Sequence, residues 1–121
     1  MSRVLEPTLK VVVRNPVGTA EEKVLVKLDT GFSGGLFLPF ETYVGLGLQL
    51  FELPPVTAVL ATGETVRLSA SRAVVVVGRR EYPCTVYTTL RASRALLGLE
   101  VLSRLRVTLD GKKQAVTVED P

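Results

Sequence analysis

At 121 residues and 13.1 kDa, with 46% apolar against 22% charged residues, the chain has the size and composition of one globular domain spanning residues 1–121, not of a disordered segment. Fifteen Lys and Arg against 12 Asp and Glu leave a net charge of +3; the basic residues are scattered, and the three Tyr and four Phe do not interleave with them as a stacking surface requires, so nucleic acid is not an expected partner. Zero His and a single Cys, Cys84, remove the usual ligands of zinc and most transition metals and every Ser-His or Cys-His pair, so such a metal is not expected, and no motif in the chain implies an organic cofactor.

Short apolar segments separated by turn residues predict an all-β barrel or sandwich. Lys10 and Arg14 break up the apolar amino-terminal stretch, and no charge-free run reaches the ~18 residues of a membrane-spanning helix, so no membrane association and a cytoplasmic location are expected. Leu9 to Arg14 reads as a strand, and Asn15-Pro16-Val17-Gly18 as the turn of a hairpin. In the next segment alternation puts Val24, Val26 and Leu28 on one face and Lys27 and Asp29 on the other. A glycine-rich loop, Thr30 to Gly35, precedes the extended run Leu36 to Pro39.

Residues 40–50 can hold one irregular helical turn, because Gly45 and Gly47 argue against a long helix. Val56 to Leu60 and Thr65 to Leu68 read as paired strands around the hairpin tip Ala61-Thr62-Gly63-Glu64. Val74 to Val77 reads as a strand buried on both faces, turned by Gly78 to Glu81 into Tyr82 to Thr88. The recurrence of Leu96, Leu99, Leu102 and Leu105 predicts a short helix over 98–104 with this stripe toward the core, and Asp110-Gly111 suits a tight hairpin turn with positive φ between the last two strands, Arg106 to Leu109 and Gln114 to Val118.

Chemistry without His, metal or reactive thiol falls to carboxylates, Lys, Tyr and hydroxyls. Of the three aspartates, Asp110 belongs to a turn and Asp120 to the terminal tail, whereas Asp29 closes an alternating strand and opens a glycine-rich loop, where a rigid scaffold presents reactive groups. Gly31 to Gly35 formally fits a G-x-S-x-G nucleophile elbow, but it lacks a histidine base and a βα context. Gly45-Leu46-Gly47 lacks the third glycine of a dinucleotide site.

Around Asp29-Thr30-Gly31 the sequence resembles the single-domain, retropepsin-like aspartic proteases, the retroviral enzymes and their small prokaryotic relatives. Val24 to Gly34 resembles that family's strand and active-site loop, Leu36 to Pro39 the strand after it, Ala61-Thr62-Gly63 the tip of its flap, and Leu96-Leu97-Gly98 its second hallmark before a short helix. The resemblance implies a closed β-barrel with one short carboxy-terminal helix and a homodimer in which Asp29 of each subunit shares one proton and activates water on a peptide or protein substrate. It implies that Thr30 braces the dyad and that Gly31 admits the substrate backbone. Phe32, Ser33, Ala61, Thr62 and Gly63 would contact the peptide, with Leu97 and Gly98 supporting the loop from beneath. The chain departs from the retroviral pattern where an Asp–Arg pair is usual, having Ser33 and Leu99 there, and Phe32 stands where a small residue is common. The alternative is a catalytically silent module of the same fold that binds peptides or mediates dimerisation.

Overall fold

A computed structural model describes residues 7–59, 62–112 and 115–119. The chain opens with an antiparallel hairpin of β1 (Thr8–Arg14) and β2 (Glu21–Leu28). Its connection is fixed by Asn15: the backbone carbonyl accepts from the Gly18 N–H at 3.1 Å and the side-chain oxygen from the Thr19 N–H at 3.0 Å. The Asn15 amide donates to the carbonyl of Leu46 at 3.1 Å, so this buried polar side chain also anchors the helical segment that follows.

After the two-residue strand β3 (Leu36–Phe37), helix α1 (Phe40–Gly45) leads into a 3-10 turn over Leu48–Phe51. Residues 40–50 thus hold two helical turns where one was expected. Gly47, at φ +71°, joins them, a left-handed conformation that costs glycine little. The reversal brings Tyr43, Leu46 and Leu48 all into the core, each no more than 1% exposed.

Strand β4 (Glu52–Val59) then pairs antiparallel with β5 (Thr65–Val77), and β5 with β6 (Arg80–Thr88). β4 lies at the end of the sheet order and its register shifts between Leu53 and Val56, where Pro54 and Pro55 fall. An edge position and an irregular register are what strand prolines tolerate, since they have no N–H to donate.

β5 corrects two expectations. Thr65–Leu68 and Val74–Val77 are parts of one 13-residue strand, and the valine run is not buried on both faces, because Val75 and Val77 point into the core while Val74 and Val76 are half-exposed. Gly78 at φ +61° and Arg79 turn this strand into β6, with Val77 opposite Arg80.

The chain continues through β7 (Leu96–Leu97), α2 (Leu99–Leu102), β8 (Arg106–Asp110) and β9 (Ala115–Glu119). α2 is shorter than the predicted span, and its leucine stripe is corrected: Leu96 lies on β7 and Leu99 is 41% exposed, so Val101 and Leu102 are the residues that face the core. β8 and β9 form a separate two-stranded sheet joined by residues 111–114. Gly111 does not take positive φ there; instead the Asp110 carboxylate accepts the Lys112 N–H at 3.0 Å.

The main sheet runs β1-β2-β7-β3-β6-β5-β4, and β1 also pairs with β5, so six strands close into a ring of hydrogen-bonded neighbours while β4 stands outside it. Val13, Val26, Leu36, Val75, Val86 and Leu97, all fully buried, fill the interior. Cys84 is fully buried among them. Burial, with the nearby Glu100 carboxylate adding to it, pushes its thiol up to about 12, a packing group and not a nucleophile at neutral pH. No helix among the described residues is long and apolar enough to cross a membrane.

Candidate active site

The strand order positions Asp29. β7 enters between β2 and β3, parallel to the first and antiparallel to the second, with Leu28 and Leu36 both opposite Leu97. The loop joining β2 to β3 must therefore arch over the end of β7, and backbone hydrogen bonds tie the two together. The Asp29 N–H donates to the Leu97 carbonyl at 2.9 Å, the Gly98 N–H to Gly35 at 2.9 Å, and the Leu99 N–H to Phe32 at 2.8 Å. These bonds satisfy part of the loop's backbone polarity, and they fix Asp29 to the strand that reaches α2.

Close packing explains the glycines. A Cβ on Gly98 would run into the Gly34 carbonyl and lie 2.6 Å from the Phe32 carbonyl, while one on Gly35 would lie 2.5 Å from Cys84 Cβ. Gly98 has φ −106°, so its requirement is for space and not for an unusual backbone conformation. At Gly31 an added Cβ would come within 3.2 Å of Asp29 Oδ1, which accepts the Gly31 N–H at 2.9 Å. The carboxylate of Asp29, half-buried, is thus oriented by the backbone of its own loop.

Asp29 opens into a cleft of about 1060 Å³. Gly31, Phe32, Ser33 and Gly34 form its floor, and the β4–β5 hairpin supplies Val56 to Val59, Glu64, Val66 and Leu68. Of the residues proposed for the hairpin tip, Ala61 lies outside the described residues, and Thr62 and Gly63 are exposed and are not part of the cleft lining; Glu64 of the tip and the two flanking strands line it. Thr30 is exposed beside Asp29, and Leu97 is fully buried below the loop.

Sequence reasoning missed one wall of the cleft, made by Phe37, Tyr87, Thr89, Leu90 and Arg91. The parallel pairing of Phe37 with Tyr87 places these rings together, and Phe32 meets both edge-on, at centroid distances of 6.2 and 5.9 Å, a favourable geometry for aromatic rings. Phe32 therefore closes the cleft from below as part of an aromatic cluster. Only the aromatic character of 32, 37 and 87 was visible in sequence; their meeting depends on a strand pairing between segments about fifty residues apart.

Behind the loop, Glu100 supports the junction. Its Oε1 accepts the Thr85 N–H at 2.8 Å, just before β3 begins to pair with β6 at Val86, and its Oε2 lies 3.7 Å from Arg72 Nη1. The carboxylate thus ties α2 to β6 through a backbone N–H of the strand.

Taken together, a ring of strands, a β7 threaded beside the Asp29 loop and a hairpin over the resulting cleft define a retropepsin-like fold. A solved structure of a retropepsin-like aspartic protease from Rickettsia conorii is similar to this chain with a TM-score of 0.60 and 20% sequence identity, covering 98% of this chain and 100% of that one. The likeness first read at Asp29-Thr30-Gly31 thus extends to the fold over almost the whole chain. No protein-family model and no curated protein matches the sequence.

Proposed function

We propose that the chain, acting as one domain in the cytoplasm, is an aspartic endopeptidase whose working form is a homodimer with Asp29 of each subunit meeting across the two-fold axis. On this reading the ring of strands is the family's closed barrel, and α2 is its short carboxy-terminal helix. The observation that carries the proposal is the placement of Asp29. Among the described residues, the one aspartate that lines the cleft sits at the mouth of a braced Asp-Thr-Gly loop, under a hairpin, in a fold shared with a solved protease structure. One carboxylate cannot both take a proton from water and give one to the scissile carbonyl, so the chemistry needs the second copy. Two carboxylates in contact cannot both ionise freely, and the pair titrates as a unit with one proton retained.

In that mechanism the ionised Asp29 takes a proton from water as the water oxygen attacks the peptide carbonyl. The protonated partner carboxyl donates to the carbonyl oxygen, and the amine leaves with a proton returned from the dyad. Substrate lies extended between the loop and the β4–β5 hairpin, in a cleft walled largely by apolar side chains. Digestion of an unfolded protein mixture from about pH 3 to 8 at high protein concentration tests the proposal. Bell-shaped activity that falls at least about a thousandfold in Asp29→Asn supports it; a folded, dimeric protein that cleaves nothing, or an Asp29→Asn variant as active as the parent, refutes it.

A further inference from the structure

The outer face of β2 carries Lys23, Leu25 and Lys27 in alternation and then runs into Asp29. Lys27 therefore stands two residues, roughly 6–7 Å along the strand, from the candidate site. On β1, Lys10 pairs with Leu25 and Thr8 with Lys27, so Lys10 shares this face. β7 sets Leu96 beside Lys27 from the other side, and the segment entering β7 brings Arg94. Together Thr8, Leu25, Lys27, Arg94, Ala95 and Leu96 enclose a second pocket of about 210 Å³.

Two features separate this pocket from an ordinary surface dimple. Leu96 lines both it and the main cleft, so the two adjoin through one side chain. Among the described residues its charged lining is basic, Lys27 and Arg94, whereas the main cleft carries Asp29 and Glu64 against Arg91. The aliphatic stems of Lys27 and Arg94, with Leu25 and Leu96, offer apolar walls that end in cationic heads. That combination suits a short alkyl chain ending in a carboxylate, which a guanidinium can grip through two parallel hydrogen bonds.

We propose that this pocket is a subsite for a Glu or Asp side chain of an extended peptide, lying within two residues of the bond held at Asp29. The proposal rests on the endopeptidase reading and narrows it: the substrates are peptides with apolar side chains in the main cleft and an acidic one beside it. The same field from Lys10, Lys27 and Arg94 favours the approach of acidic segments at low ionic strength.

The test uses short apolar peptides carrying Glu, Gln or Lys in turn at each of the two positions on either side of the central bond. Binding is read by fluorescence anisotropy on Asp29→Asn and cleavage on the unsubstituted chain. The Glu peptides are expected to bind and be cut about threefold to tenfold better than the Gln peptides at low salt, with the gap closing as salt rises. Arg94→Ala should erase most of the preference and Arg94→Glu turn it toward Lys, whereas Arg79→Glu, in the distant β5–β6 turn, should leave it unchanged. Arg94 is exposed, so circular dichroism should show both substitutions folded. Equal use of Glu and Gln peptides, or a preference that survives Arg94→Glu, overturns the subsite. Charge-selective binding without any cleavage sinks the endopeptidase reading alone; cleavage without charge preference sinks the subsite alone; failure to bind any peptide overturns both.

Discussion

Replacing Gly98 by Ala tests whether the Asp29 loop is held by close backbone packing. The new Cβ would collide with the Gly34 carbonyl and lie 2.6 Å from both the Phe32 carbonyl and the Phe32 ring. Two of these three neighbours are backbone atoms, and the ring is itself held by Phe37 and Tyr87, so no flexible side-chain end can move aside. Relief must come from separating the loop from β7, which stretches the bonds Gly98 N–H to Gly35, Leu99 N–H to Phe32 and Asp29 N–H to Leu97. Overpacking of this kind costs about 1–3 kcal/mol, and each weakened hydrogen bond adds about 0.5–1.5 kcal/mol, so a loss of about 3–4 kcal/mol is expected. Urea unfolding followed by circular dichroism measures it, with Gly45→Ala as the control. Gly45 ends α1 and has nothing within 4 Å of an added Cβ, so that change should be neutral or stabilising by up to about 1 kcal/mol. If Gly98→Ala unfolds within about 0.5 kcal/mol of the parent, the claim that this packing holds the loop is wrong. On the proposed endopeptidase reading, a variant that stays folded should also lose cleavage on the order of a hundredfold if Asp29 moves by about 1 Å.

Glu100 offers a second test of the same junction. Glu100→Ala strands the Thr85 N–H and should cost about 1–3 kcal/mol, whereas Glu100→Gln keeps an acceptor oxygen for it and loses only the half-exposed pair with Arg72, about 1 kcal/mol at most. Equal losses in the two variants, measured by the same unfolding curves, would remove the hydrogen bond from the explanation. The alkaline limit of stability follows from Cys84 and Tyr43. Burial raises the Cys84 thiol from 9.0 to about 12 and the Tyr43 phenol, with a smaller contribution from Glu52, from 10.0 to about 12. Both groups hold protons in the fold that the unfolded chain releases, so their stabilising contribution is complete below pH 9 and drains away as pH climbs toward 12. Urea midpoints should fall steeply above about pH 9, and Cys84→Ala, less stable at neutral pH, should show a shallower fall over that range. A slope identical in the variant would show that the thiol is not a source of it.

What could be read from the sequence depended on whether the signal was local. Asp29 stood out because an alternating strand, a carboxylate and a run of glycines lie within a dozen residues, and the local order of charges and glycines is what the loop uses. The Asn15 turn and the Gly78 turn were legible for the same reason. β5 was not, because the strand changes environment along its length. Its first part extends into the hairpin over the cleft, with Thr65 and Arg67 in solvent, and its second part enters the ring, where Ala73, Val75 and Val77 are buried. Ser69 to Arg72 mark the passage between the two and look like a break in pattern when they are the middle of one strand. The leucine stripe misled in the opposite way: a spacing of three continued across β7 into α2, although Leu96 is held by strand pairing and Leu99 faces out.

The illegible part of the candidate site has one cause. Phe37, Tyr87, Leu90 and Leu96 come together only because β7 passes between β2 and β3 and because β3 runs parallel to β6. Neither pairing is between strands that follow one another in the chain, and no spacing rule anticipates them. The same threading sets Lys27 and Arg94 beside one another, residues that composition alone files under a scattered surface charge. A sequence can thus single out the candidate carboxylate while leaving its surroundings unread, since the loop is built from neighbours along the chain and the walls are built from neighbours across the sheet. Specificity in such a fold should accordingly vary through residues at β3, β6 and the segment entering β7, while the Asp29 loop and the glycines that pack it stay fixed by geometry. On the proposed endopeptidase reading, exchanging Arg94 or Leu90 should change which peptides are cut, and exchanging Gly98 should change whether any are.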